Sequence, residues 1–97
     1  MARKIIWSDE SLKDLENIAE FIEKDSYYYA ASFVLKIVNS VETLSEHAER
    51  GRTVPEFKIN EIKEIFINEY RIIYKIKSEE VIIITLVHGR RDLDKLI

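Results

Sequence analysis

Three side chains of this sequence could together break a phosphodiester bond: the carboxylate of Glu56, the guanidinium of Arg71 and the imidazole of His88. Cleaving RNA needs a base for the 2′-OH, a cation on the phosphate and an acid for the leaving oxygen, and these residues offer one of each. Arg71, Arg90, Arg91 and Glu56 could equally form a charged surface that holds a macromolecular target and does no chemistry. A plainer reading pairs Arg71 with Glu64 or Glu69, pairs Arg90 and Arg91 with Asp92 and Asp94, and leaves Glu56 in a solvated loop. Tyr27-Tyr28-Tyr29 could stack bases or divide between core and surface, and His47, placed near a helix end, reads as structural. There is no cysteine, which excludes thiolate catalysis, disulfides and cysteine-ligated zinc. The GxGxxG, Walker, HExxH and GxSxG patterns are all missing and the two histidines lie far apart, so neither a metal nor a cofactor is expected.

The elements that must position these residues can be read from periodicity. Residues 3–7 form a short strand, and Ser8 caps a helix with Asp9 and Glu10 in its first turn and Trp7 set to staple onto Leu12. Leu12, Leu15, Ile18, Ala19 and Ile22 recur at helical steps, and after the break at Lys24-Asp25-Ser26 so do Ala30, Phe33, Val34, Ile37, Val41, Leu44 and Ala48. The short connection makes the two helices an antiparallel hairpin. Residues 49–60, with Gly51 and Pro55, have no period and read as a loop long enough to carry function. Three β-rich runs follow, 62–67, 70–77 and 81–88, separated by short polar turns at Asn68-Glu69 and Ser78-Glu79-Glu80, which is the pattern of an antiparallel meander. Period two puts Arg71, Lys75 and Lys77 on the face away from Tyr70, Ile72, Tyr74 and Ile76. Val81 to Val87 is apolar on both faces and calls for a second cover besides the helices, such as a partner chain. The expected fold is α+β, in the order β-αα-β-β-β, with the helical hairpin on one face of a small, mostly antiparallel sheet.

A chain of 97 residues accommodates one domain, residues 1–97. No uncharged stretch approaches the roughly 20 apolar residues of a membrane-spanning helix, and the N-terminus does not read as a secretory signal. A cytoplasmic location and no membrane partner are therefore expected. The net charge of −3 argues against broad electrostatic binding to nucleic acid. Acidity is concentrated in residues 9–25, where seven acids face Lys13 and Lys24, as in a solvated helix face.

Several stretches, taken in order, carry a family resemblance. Trp7-Ser8, Asp14-Leu15 with Ile18, Gly51-Arg52-Thr53-Val54-Pro55-Glu56, Tyr70-Arg71-Ile72-Ile73-Tyr74 and Val87-His88-Gly89-Arg90-Arg91 closely resemble the RelE/ParE superfamily of type II toxin–antitoxin toxins. The resemblance spans nearly the whole chain, and the Gly-Arg-x-Val-Pro-Glu loop and His-Gly-Arg-Arg ending are similar to the ParE branch. It implies a toxin that binds DNA gyrase and stabilises the cleaved complex, is neutralised by a cognate antitoxin in a heteromeric complex, and contacts its target through Arg71, Arg90, Arg91 and Glu56. The RelE branch implies instead a ribosome-dependent mRNA endonuclease, with the ribosome and mRNA as partners, Glu56 as base, Arg71 on the phosphate and His88 as acid. RelE-like cutters are strongly basic, and the pI near 5.4 departs from that. Lys63 stands before Glu64 where the family often has Arg-Glu, and Lys cannot make the same bidentate contacts. A non-toxic relic that only binds an antitoxin is a third implication.

Overall fold

A computed structural model describes residues 2–89. Arg90 and Arg91, with their expected target-binding role, lie outside the described residues. The chain runs through β1 (Lys4–Trp7), α1 (Asp9–Glu23), α2 (Tyr27–Glu42), two 3-10 turns (Thr43–Ser45 and Ala48–Arg50), β2 (Arg52–Thr53), β3 (Ile62–Ile67), β4 (Tyr70–Ile76) and β5 (Glu80–His88). The five strands form one mixed sheet in the order β1-β5-β4-β3-β2, with β1 parallel to β5 and the other pairs antiparallel. The α+β expectation holds, as does the β3-β4-β5 meander.

Local chemistry explains most boundaries. The Ser8 hydroxyl accepts from the Ser11 amide at the head of α1, and Ser26 does the same for Tyr29 at the head of α2. Leu12 departs from the expected stripe: it is 49% exposed, and Ser11 is buried instead, its hydroxyl donating to the Ser8 carbonyl. The second helix ends at Glu42, short of the Ala48 that its period suggested. The tighter turns beyond it still bring Leu44 and Ala48 into the core, with Arg50 donating to Ser40 and Thr43. Asn68 turns the β3–β4 hairpin at φ 53, a conformation its short polar side chain tolerates.

The main core lies between the helices and one face of the sheet, joining Ile18, Phe33, Ile37, Val41 and Leu44 to Ile65, Ile72, Tyr74, Val81, Ile83 and Leu86. The opposite face has its own small cluster: Val54, Ile73 and Val87, with Phe57, Ile62 and Ile84 packed around them. The second cover that β5 calls for thus comes in part from the chain itself and not only from a partner chain. Residues 54–60 fold back as a strap, closed by hydrogen bonds from the Phe57 and Lys58 amides to the Val54 carbonyl.

An irregular register helps to dock α1. Ile73 faces Thr85 and Tyr74 faces Ile83, so Ile84 is an extra residue in β5. At this bulge the Ser8 hydroxyl donates to the Ile84 carbonyl at 2.8 Å. Asp14 Oδ2 accepts from the Thr85 hydroxyl at 2.5 Å and from the Leu86 amide at 3.0 Å. The part of β5 that outruns β1 therefore finds its backbone partners on the helix.

Candidate functional site

The strap places Glu56 over the sheet face that the helices leave open, and there it meets Arg71. The pair is bidentate, Arg71 Nη1 and Nη2 each donating at 2.9 Å to one Glu56 oxygen. Arg71 Nε donates at 2.6 Å to Glu64 Oε1 from the neighbouring strand, and Arg52 Nε donates at 2.6 Å to Glu64 Oε2. Glu64 is buried between the two arginines, and its charge is neutralised by hydrogen-bonded partners on both sides. Arg71 is buried as well, whereas the Arg52 side chain is 60% exposed and its guanidinium carbon lies 4.9 Å from the centre of the Phe66 ring.

Cross-strand position accounts for the grouping. Phe66 pairs with Arg71, Glu64 with Ile73, and Arg52 with Glu64, so all of these side chains share the open face. Gly51 allows the chain to reach that position. A Cβ there would press against the Tyr74 hydroxyl and lie 2.6 Å from the Glu64 carbonyl, closer than real Cβ atoms come. The Gly51 amide instead donates to that hydroxyl, which in turn donates to the Ala48 carbonyl.

These contacts set the protonation of the site. The Arg71 hydrogen bonds hold the Glu56 carboxyl below its usual value, against the smaller opposing effect of burial. Arg71 is held still more firmly charged, first by Glu56 and then by Glu64, although burial works the other way. A general base works best with a pKa near the operating pH and needs a lone pair within reach of the proton it takes. Glu56 is shifted the wrong way, and both of its oxygens already accept from Arg71. A phosphate could reach the Arg71 fork only by displacing Glu56.

The structure brings Glu56 and Arg71 together and leaves His88 apart. His88 pairs with Tyr70, and their rings meet edge to face with centroids 5.7 Å apart on the helix side of the sheet, whereas Arg71 and its partner Val87 face the other way. The His88 ring lies 3.4 Å from a Glu69 oxygen. Adjacent register positions put Arg71 and His88 on opposite faces of the sheet. His47 is exposed between the two 3-10 turns. Tyr27, Tyr28 and Tyr29 are all largely exposed, with none given to the core. Among the described residues no group of three or more acids or histidines could hold a metal ion, and no helix is long and apolar enough to cross a membrane. Glu64 and Arg52 are the members that sequence reading did not place in the site. The available sign was a lone acid in the β-branched run 62–67 at the parity that faces Arg71.

Comparison with known proteins agrees with this architecture. Residues 5–93 match the family model described as the ParE toxin of the type II toxin-antitoxin system, parDE. The chain belongs to the ParE toxin family. A curated relative from Sinorhizobium fredii (strain NBRC 101917 / NGR234), named "Putative toxin Y4kP", is 34% identical over 94 residues, covering 94% of each chain. Among solved structures, a chain of the chromosomal ParDE toxin–antitoxin system from P. aeruginosa superposes with a TM-score of 0.74 at 18% identity, over 90% of this ParE-family chain and 96% of that one. The toxin–antitoxin complex RelBE2 from Mycobacterium tuberculosis gives 0.67 at 16% identity, over 91% and 99%. A mutant of E. coli toxin RelE in the free state gives 0.68 at 14%, over 93% and 86%. At these identities the three structures share the fold of the ParE-family chain, a fold common to ParE and RelE proteins.

Proposed function

We propose that this ParE-family chain is a toxin that holds DNA gyrase in its cleaved complex by protein–protein contact, with no bond made or broken by its own residues. The observation that carries the reading is the state of Arg71. Its fork is filled by Glu56 and Glu64, and His88 stands on the other side of the sheet, so the base, cation and acid of an RNA cutter do not share a site. The ion network instead clamps the strap to the sheet and gives the open face a fixed shape, which is what a binding protein needs. The ParE family match and the acidic balance of the chain favour the same branch. A cognate antitoxin that covers the toxin in a heteromeric complex completes the proposal, since the relatives from P. aeruginosa and M. tuberculosis are described as toxin–antitoxin systems.

The test is a supercoiled plasmid incubated with purified gyrase and ATP, with and without the protein, and resolved after detergent and protease treatment. Accumulated linear DNA is the expected result. No linear DNA from folded protein, together with mRNA cut on ribosomes and protected by Glu56→Gln, would overturn it.

A further inference from the structure

The open face displays a second arginine in the geometry that Arg71 has already put to use. Arg52 is anchored through Nε to the buried Glu64 carboxylate, and its guanidinium lies over Phe66, which is itself 51% exposed. Its Nη1 and Nη2 groups make no hydrogen bond to the described residues. A long, flexible side chain is thus held near its tip by one buried acid and one ring, with the donors of its terminal fork unspent on the described residues. Arg71 shows what such a fork accepts in this protein: with Nε on Glu64, it takes a carboxylate from a loop across Nη1 and Nη2.

We infer that the Arg52–Phe66 pair is the contact through which this chain grips its target, and that the target supplies a carboxylate for the Arg52 fork and an apolar side chain for Phe66. The inference rests on the gyrase reading and deepens it by naming the surface. Arginine and aromatic residues dominate binding energy at protein interfaces, most of all when they are held in place before the partner arrives. Charge selects an acidic partner. Glu64 and Glu56 are neutralised on this face, while Arg52, Lys75 and Lys77 remain exposed. Glu49 and Glu61 lie with Lys63 on the helix side, Glu69 lies beside His88, and Glu80 stands opposite Lys4 in the β1–β5 register. A protein segment fits better than a nucleic acid backbone, because so few cations on a chain of net charge −3 give little purchase on a phosphate array.

The test compares the full-length wild type with Arg52→Gln, Phe66→Ala and Tyr28→Ala in the gyrase cleavage assay and in direct binding to immobilised gyrase. Arg52→Gln keeps a donor for Glu64 while removing the charged fork, and Phe66→Ala alters only an exposed ring, so both should fold. Each is expected to raise the concentration needed for half-maximal linear DNA and the dissociation constant by about tenfold or more. Tyr28→Ala, on an exposed part of α2, should match the wild type. Wild-type potency in both site variants would overturn the inference and leave the gyrase reading standing, as would an equal loss in Tyr28→Ala. Loss of antitoxin binding with undiminished DNA cleavage would assign the surface to the antitoxin, and tight binding to DNA without gyrase would assign it to nucleic acid; either overturns the inference. A wild type inert on gyrase overturns both together.

Discussion

A buried carboxylate depends most on the arginine that is buried beside it, and for Glu64 that is Arg71, since the Arg52 side chain is largely exposed. Replacing Arg71 with Met should cost about 3–5 kcal/mol in urea unfolding, since Glu64 would keep its burial and lose its better-shielded partner. Glu56 gives a pH test. Its carboxyl is lowered in the folded protein by the Arg71 hydrogen bonds, from a usual value of 4.5. Its contribution to stability is therefore fully present above the unfolded pKa and disappears as the pH falls through the lower folded one. Glu56→Gln should be less stable than the wild type by about 1 kcal/mol at pH 7, the size of a partly exposed charge-assisted pair. The two proteins should then converge in acid, below the folded pKa. An undiminished difference at pH 2 would mean that the amide distorts the strap rather than merely losing charge.

At the scale of elements, the strap is held by one apolar anchor and one tight passage. Val54 is fully buried, and Val54→Ala should cost about 2 kcal/mol while making the bonds of residues 51–60 more open to limited proteolysis. Gly51→Ala should cost at least as much, because the new methyl group would push against the Tyr74 hydroxyl and the Glu64 carbonyl. The strap is also where sequence reading stopped. Period 3.6 located both helices and β-branched runs located β3, β4 and β5, since each of those signals repeats over several residues. Arg52-Thr53 is too short to show a period, and a loop that closes on a sheet looks the same in sequence as one that faces water. The Arg71–Glu64 pairing was legible as a plain ion pair. Its junction with Glu56 and Arg52 depended on the strap, and the separation of His88 from Arg71 depended on a strand register that no local signal records.

For the whole molecule, the asymmetry of the two sheet faces matters most. One face is sealed by the hairpin, whose first helix carries the acidic charge, and the other is only partly covered and keeps its exposed cations. The two sides thus present opposite charge to whatever approaches them. The closure of the sheet also has a temporal side. β1 is made well before β5, its one strand neighbour among the described residues, with Lys4 beside Glu80 and Trp7 beside Ile83. During synthesis β1 must wait for β5, and every contact between them is of high sequence separation and slow to form. The bulge that receives Ser8 and Asp14 belongs to that same late strand. A growing chain thus keeps its sheet open until β5 has left the ribosome.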